Sequence, residues 1–305
     1  MGEVLKWPPE SSGLDAPLES AKPMPSSLVV RFFLLTYIVA WTCWTPVVAA
    51  HTPAGLPIRT ALWFLGVFAP SLVALALTAR SEGAKGVRAL LGRMFQWRVG
   101  ARWYLFAVSY MAAIKVGVAL LNRMTTASWP HFGHERPVII LVAILLSTPV
   151  QSGEEIGWRG FALPRLAQRM GFARASIVLG LIWACWHLPQ FFLREADTYR
   201  QSFPIWSLEV TAMSVAIAWL YAHTNGSLLL VMLMHAAINN TKDIVPSGIP
   251  NAHSALSLHA SLVMYLTATL LWLAAAYFLA RMPRGPLQSI AGGGAHPLTQ
   301  TKAVR

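Results

Sequence analysis

The sequence predicts an all-α protein, a polytopic membrane helix bundle with about eight transmembrane helices. Three observations predict it: hydrophobic residues make up 55% of the chain, charged residues only 12%, and long apolar runs recur from residue 28 to residue 280. A soluble domain carries about 25% charged residues. With half that share and a mean hydropathy of +0.51, this chain needs lipid as the solvent for much of its surface.

The eight predicted spans are apolar runs, most of them close to the ~20 residues that a helix needs to cross the hydrocarbon core. The fourth is shorter and is followed by the acidic pair Glu154-Glu155. The spans cover residues 28–50, 60–79, 101–121, 137–153, 175–193, 206–222, 227–245 and 256–280.

Polar segments flank the transmembrane part at both ends. Residues 1–27 lack the basic start and short apolar core of a cleavable signal peptide, so we predict a disordered cytoplasmic lead. Residues 282–305 contain several prolines and a glycine triplet and are predicted to form a flexible cytoplasmic tail. Residues 28–281 are predicted to be one transmembrane domain, with the polar motifs concentrated in 137–245.

Basic residues concentrate in the loops between spans 2 and 3 and between spans 4 and 5. With eight spans, these loops and both termini lie on one side of the membrane. Because Lys and Arg collect on cytoplasmic loops, the N and C termini of this plasma-membrane protein are predicted to be cytoplasmic. This topology explains the net charge of +12, and no nucleic-acid partner is expected.

A basic amphipathic helix is predicted at 84–98. Val87, Leu90, Leu91 and Met94 share one face at helical spacing, with basic residues among them. Such a helix favours a position on the inner leaflet of the bilayer. Docking of a partner protein is the alternative.

The first polar motif reads SGEEIGWR over residues 152–159. A charge at the bilayer centre costs at least about 2.5–3.5 kcal/mol, so charges there usually mark function. Adjacent carboxylates point about 100° apart on a helix, so Glu154 and Glu155 are expected to differ in role. Glu155 and Arg159 are four residues apart and can form an ion pair, which leaves Glu154 as a candidate general base. A Glu–Arg pair that only fixes packing is the alternative.

Two further motifs carry histidine. His187 follows Trp183 by four residues, and the indole is expected to shield the imidazole from water. His235 and Asn239 are also four apart and are expected to face one way, with Asn240 secondary. Each motif has a structural alternative, because a lone histidine among aromatic residues is more often a core residue and a His–Asn pair can serve as an interhelical hydrogen bond.

Together the three motifs resemble those of the CaaX-protease and bacteriocin-processing family of intramembrane proteases, which includes the eukaryotic prenyl-protein endopeptidase. The second motif of that family usually begins with Phe, whereas this chain has Trp183. The resemblance covers roughly residues 60–245, with weaker family features at 66–70 and 85–103. The matching residues are Glu154, Glu155 and Arg159 in the first motif, His187 in the second, and His235 and Asn239 in the third.

The resemblance implies an eight-helix protease domain with a water-filled cavity, acting on a peptide or lipidated protein in the bilayer. Glu154 and His187 would activate a water molecule. His235 and Asn239 would bind the carbonyl oxygen as charge develops on it. Glu155 and Arg159 would orient these groups.

Metal dependence stays open at this point. Glu154, His187 and His235 are acceptable ligands for zinc, which the resemblance makes a possible cofactor. The sequence lacks the His-Glu-x-x-His helix in which two histidines hold zinc from one turn. Metal-free glutamate catalysis is therefore favoured over a metalloprotease.

Two other functions remain as alternatives: a non-catalytic immunity factor or scaffold of the same fold, and a proton-coupled transporter that uses the carboxylates as a relay. A transporter would show symmetry between its two halves, which the sequence lacks. Lys115 is taken as the one intramembrane charge outside the motifs, and it either snorkels to the interface or pairs with a carboxylate. Whether the substrate is a prenylated CaaX tail or a leader peptide is not readable from the sequence.

Overall fold

The computed structural model describes residues 26–49, 57–194, 196–199, 201–247 and 255–282, and these ranges contain helices and no strand. The all-α prediction is therefore confirmed. The predicted lead and tail lie almost wholly outside the described residues. The helices are α1 Ser26–Ala49, α2 Pro57–Gly92, α3 Ala101–Thr126, α4 Pro137–Ser147, α5 Ser152–Glu155, α6 Leu163–Trp186, α7 Phe203–His223, α8 Leu228–Thr241 and α9 Leu262–Arg281, with a π-helical segment, Ile156–Ala162, between α5 and α6.

Six helical stretches within the described ranges are long and apolar enough to cross a membrane. One of them, Pro137–Phe192, runs for 56 residues and contains two of the predicted spans. Another predicted span corresponds to α8, which has only 14 residues. The polytopic bundle is confirmed, while the number eight stays a prediction.

Two glycines interrupt long helices. Gly83 in α2 has φ +67° and Gly171 in α6 has φ +77°, a left-handed conformation that glycine adopts without steric cost. Gly83 separates the apolar part of α2 from the predicted amphipathic helix, which runs on to Gly92 and a 3-10 turn, Arg93–Phe95. The location of this helix on the inner leaflet, and partner docking as its alternative, stay predictions.

The most enclosed helices are α7 and α8. The most apolar stretch of α7 is 67% buried, against 33% for α1 and α9, and α8 packs against α3, α4 and α7. Both begin at a serine whose hydroxyl accepts a hydrogen bond from the first turn: Ser202 from the amide of Ile205, and Ser227 from that of Leu230. The centre of the bundle therefore consists of helices that lipid hardly reaches, and the polar motifs lie on or beside them.

Candidate active site

The candidate active site is a buried cluster of polar side chains from three parts of the chain. They come from α5 with the π-helical segment, from the last turn of α6, and from α8. The sequence predicted that the residues of these motifs meet, and in the structure most of them lie in contact. The cluster contains Glu154, Glu155, Arg159, Trp183, His187 and His235, each at most 9% exposed.

The first motif lies at the start of the π-helical segment, which packs closely on α2. A Cβ atom on Gly157 would come within 2.5 Å of the Pro70 carbonyl carbon, so only glycine fits there. The Ser71 hydroxyl donates a hydrogen bond to the Ser152 carbonyl oxygen. The 66–70 stretch of α2 thus forms the surface on which the acidic motif rests. π-Helical turns occur often at functional sites. The sequence pattern predicted regular helix geometry here and gave no sign of this turn.

Glu155 is the centre of the ionic contacts. Its Oε1 accepts hydrogen bonds from Arg159 Nη1 at 2.8 Å and from His235 Nδ1 at 2.7 Å. The ion pair expected from the four-residue spacing is present, and His235 is a second partner that the sequence did not predict. The guanidinium of Arg159 also lies 4.1 Å from the centre of the Trp183 ring. Glu155 and Arg159 are fully buried, so each depends on the other for charge compensation.

Glu154 makes a different set of contacts, as its position on the helix suggested. Its Oε2 accepts a hydrogen bond from the indole Nε1 of Trp183 at 2.7 Å. The carboxylate is 8% exposed, and its second oxygen receives no hydrogen bond from any described residue. From the sequence, Trp183 was expected only to shield the imidazole of His187. The presence of Trp at a position where the second motif usually has Phe could have indicated the additional N–H donor.

The hydrogen bonds of the two histidines fix which ring nitrogen carries a proton. Nδ1 of His187 lies 2.8 Å from the Trp183 carbonyl oxygen, and Nδ1 of His235 lies 2.7 Å from Glu155 Oε1. Both oxygens can only accept, so each Nδ1 must donate. Nε2 of each ring is left available for a further hydrogen bond. Trp206 from α7 packs edge-on against His187, with ring centres 5.1 Å apart, and closes that side of the cluster.

Asn239 is the one motif residue that lies outside the contacts of the cluster. It is exposed and makes no hydrogen bond to a residue that the structure describes. Asn240, which was expected to be secondary, is the asparagine that makes hydrogen bonds. Its Nδ2 donates to Ser147 Oγ at 3.0 Å and to the Ala236 carbonyl oxygen at 2.8 Å. The predicted role of Asn239 at the carbonyl oxygen stays a prediction.

The possible zinc ligands do not converge. Within the part of the chain that the structure describes, no three side chains of His, Cys, Asp and Glu are grouped so that they could hold one metal ion. Glu154, His187 and His235 all belong to that part. Their hydrogen bonds to Trp183 and Glu155 hold them as separate groups, and metal dependence stays a prediction.

A second buried polar cluster lies among α3, α7 and α9. Lys115 Nζ donates to Ser247 Oγ at 2.8 Å and to Thr267 Oγ1 at 3.2 Å. The expectation that Lys115 is the one intramembrane charge outside the motifs is wrong, because Glu209 in α7 is also buried. Lys115 is 2% exposed and its Nζ contacts hydroxyl groups inside the bundle, so pairing with a carboxylate stays a prediction. A single acid in the apolar run of α7 was overlooked because no motif surrounds it.

Comparison with known families covers this site. Residues 134–241 match the family described as Type II CAAX prenyl endopeptidase Rce1-like. This segment is similar to Rce1-like domains. It contains every candidate residue from Glu154 to Asn239, and the resemblance drawn from the motifs is confirmed. The matched segment starts close to the first residue of α4 and ends with the last residue of α8.

A longer similarity extends beyond this matched segment. The chain is 24% identical over 228 residues to a protein of Methanococcus maripaludis named CAAX prenyl protease 2, a match that covers 70% of this chain and 83% of the relative. Together with the apolar helices, these matches indicate an integral multi-pass membrane protein related to proteases. The catalytic type and the orientation of the termini stay predictions.

Proposed function

We propose that the protein is an intramembrane endopeptidase that uses Glu154 to activate water, without a metal ion, and cleaves a prenylated CaaX-type peptide. The observation that carries this proposal is the pairing of Glu154 and His187 through one residue. The Trp183 side chain binds Glu154, and the carbonyl oxygen of the same residue binds His187. Two proton-accepting groups are thereby held in fixed orientations in a buried cluster.

In the proposed reaction, a water molecule gives one proton to the free oxygen of Glu154 while its oxygen attacks the peptide carbonyl carbon. Nε2 of His187 orients this water by accepting a second hydrogen bond. When the C–N bond breaks, the proton passes from Glu154 to the leaving amine. This sequence is balanced in atoms and charge and returns both side chains to their starting state.

The developing charge on the carbonyl oxygen needs hydrogen-bond donors. His235 can donate from Nε2 only when the ring carries both protons, because Nδ1 already donates to Glu155. The Glu155 carboxylate offsets the charge of that imidazolium, and Arg159 holds the carboxylate in place. We propose that Asn239 adds its amide N–H from the open side of α8.

The choice of a prenylated substrate rests on the name of the Methanococcus relative, CAAX prenyl protease 2, and on the match to the Rce1-like family. A lipid-modified peptide also suits a site whose walls are formed by membrane helices. A leader peptide is the competing substrate, and the assay below separates the two.

The first test is cleavage of a quenched fluorescent farnesylated CaaX peptide by purified protein in mild detergent. Glu154→Gln is expected to lower kcat by about 10²–10⁴-fold, because it removes the general base while preserving size. The matched control is Glu82→Gln, which removes a carboxylate from a half-exposed ion pair with Arg165 and is expected to keep activity.

Each protein would also be assayed with a chelator. Wild-type activity is expected to be unchanged, and loss of activity that zinc restores would show that the metal-free proposal is wrong. Normal cleavage by Glu154→Gln would remove Glu154 as the base. Cleavage of a leader peptide but not of the farnesylated peptide would show that the proposed substrate is wrong, while the proposed mechanism would stand.

A further inference from the structure

Trp183 contacts four polar residues of the candidate site, through its indole N–H, its carbonyl oxygen and its ring. Its indole N–H donates to Glu154 at 2.7 Å, and its carbonyl oxygen accepts from His187 at 2.8 Å. The face of its ring lies 4.1 Å from the Arg159 guanidinium. Its ring centre is 5.3 Å from that of His235, in an edge-to-face arrangement.

We propose that Trp183 is a positioning residue that holds the Glu154 carboxylate through its indole N–H; this rests on the proposed endopeptidase function. A glutamate side chain has three rotatable bonds, and a carboxylate in an apolar cluster needs a partner to keep one conformation. A charge-assisted hydrogen bond supplies both energy and direction. It occupies one carboxylate oxygen and leaves the other for water.

The donor depends on the identity of the aromatic residue. Indole carries one N–H donor and no acceptor, whereas a phenyl ring carries neither. A phenylalanine at position 183 could not make this contact. Substitution of Trp183 by Phe would therefore remove the contact while keeping an aromatic face for Arg159.

Other buried tryptophans show that burial alone does not create such a contact. The indole nitrogens of Trp158 and Trp186 are also enclosed, yet neither has a hydrogen-bond partner in the described residues. Trp158 is fully buried and packs edge-on against Phe32, with ring centres 5.5 Å apart. It is therefore a matched control: Trp158→Phe removes a buried indole N–H that holds no carboxylate.

The contact can be tested without any substrate. The chain contains 13 Trp, and labelling with ¹⁵N-tryptophan gives one indole N–H signal for each in an NMR spectrum of the detergent-solubilised protein. Trp183→Phe and Trp158→Phe each remove one signal and so assign it. Glu154→Ala is expected to move the Trp183 proton signal upfield and to leave the Trp158 signal in place. An unmoved Trp183 signal would overturn the proposal, whatever the substrate.

The positioning role is tested by kinetics on the farnesylated peptide. Hydrogen bonds to charged groups correspond to roughly 10- to 100-fold in an equilibrium or rate, so Trp183→Phe is expected to lower kcat by about that factor with KM unchanged. Trp158→Phe, which removes no contact to a charged residue of the site, is expected to lower kcat less than Trp183→Phe does. β-(3-Benzothienyl)alanine at position 183, which has the shape of tryptophan without the N–H, is expected to lower kcat as Phe does.

The outcomes separate the two proposals. A wild-type kcat with the benzothienyl analogue would overturn the positioning role, since shape alone would then suffice. A lower melting temperature with an unchanged kcat in Trp183→Phe would do the same. If wild type cleaves no farnesylated peptide but the Trp183 signal responds to Glu154→Ala, the substrate proposal fails and the carboxylate contact is supported.

Discussion

The bundle contains two buried clusters of charged residues, and they are built differently. In the candidate active site, Glu155 binds two partners at 2.8 Å or less and Glu154 binds one. In the second cluster, Lys115 binds only hydroxyl groups. Each cluster leaves a buried carboxylate oxygen, Glu155 Oε2 in the first and Glu209 Oε1 in the second, without a hydrogen-bond partner among the described residues. The first cluster spans an irregular π-helical segment, whereas the second lies between the regular helices α3, α7 and α9.

If Lys115 and Glu209 serve only to link helices, a buried charge in a membrane bundle is not by itself a sign of catalysis. Such charges are costly and are usually retained for a reason, and we expect that reason at Lys115 and Glu209 to be structural. In the candidate site, Glu154, His187 and His235 each use one atom in a hydrogen bond and leave another one free. The free atoms are a carboxylate oxygen of Glu154 and Nε2 of the two histidines. The predictions test whether substitutions that lower activity fall in the first cluster and those that lower only stability fall in the second.

The largest effect on stability is expected in the first cluster. Arg159→Ala leaves the fully buried Glu155 without its cation, and breaking such a pair costs about 3–5 kcal/mol. Thermal unfolding in detergent would measure it. Glu82→Ala, which breaks a pair with a half-exposed carboxylate, is expected to cost about 0–1 kcal/mol. An Arg159→Ala protein that is equally stable and fully active would remove the orienting role of this pair.

Asn239 tests whether the site extends beyond its hydrogen-bonded core. If its amide binds the carbonyl oxygen in the transition state, Asn239→Ala lowers kcat by about 10²–10³-fold without loss of stability. The control is Asn240→Ala, which breaks a bond to Ser147 and is expected to keep kcat. Equal kcat values for the two variants and wild type would restrict the site to the residues already in contact.

The smallest effect is expected from the second cluster. Lys115→Met and Glu209→Gln should each lower the melting temperature, while the double variant recovers part of the loss because no unmatched charge remains. A coupling of about 0.5–3 kcal/mol is expected between residues of one network. The same proteins should keep kcat on the farnesylated peptide. A fall in kcat without a fall in stability would show that this cluster takes part in the reaction, and the two clusters would then not differ in function.

The sequence predicted most of the helices and the residues that meet, because apolar runs and four-residue spacings depend only on local geometry. It missed what depends on tertiary contacts. The hydrogen bond from Trp183 to Glu154 joins two distant motifs, and the π-helical segment departs from the 100° rotation that the prediction assumed. Glu209 was overlooked because an isolated acid carries no periodic signal and no motif surrounds it.

The short length of α8 has a consequence for how the protein is made. Its 14 residues form a helix of about 21 Å, shorter than the ~30 Å hydrocarbon core, and His235 lies in its middle. Such a segment is poorly suited to cross lipid alone during synthesis. We expect α8 to insert by packing on helices that are already in the membrane. The helices α3 and α7 precede it in the chain and pack on it. We therefore expect insertion of the candidate site into the membrane to depend on helices that contribute none of its charged groups.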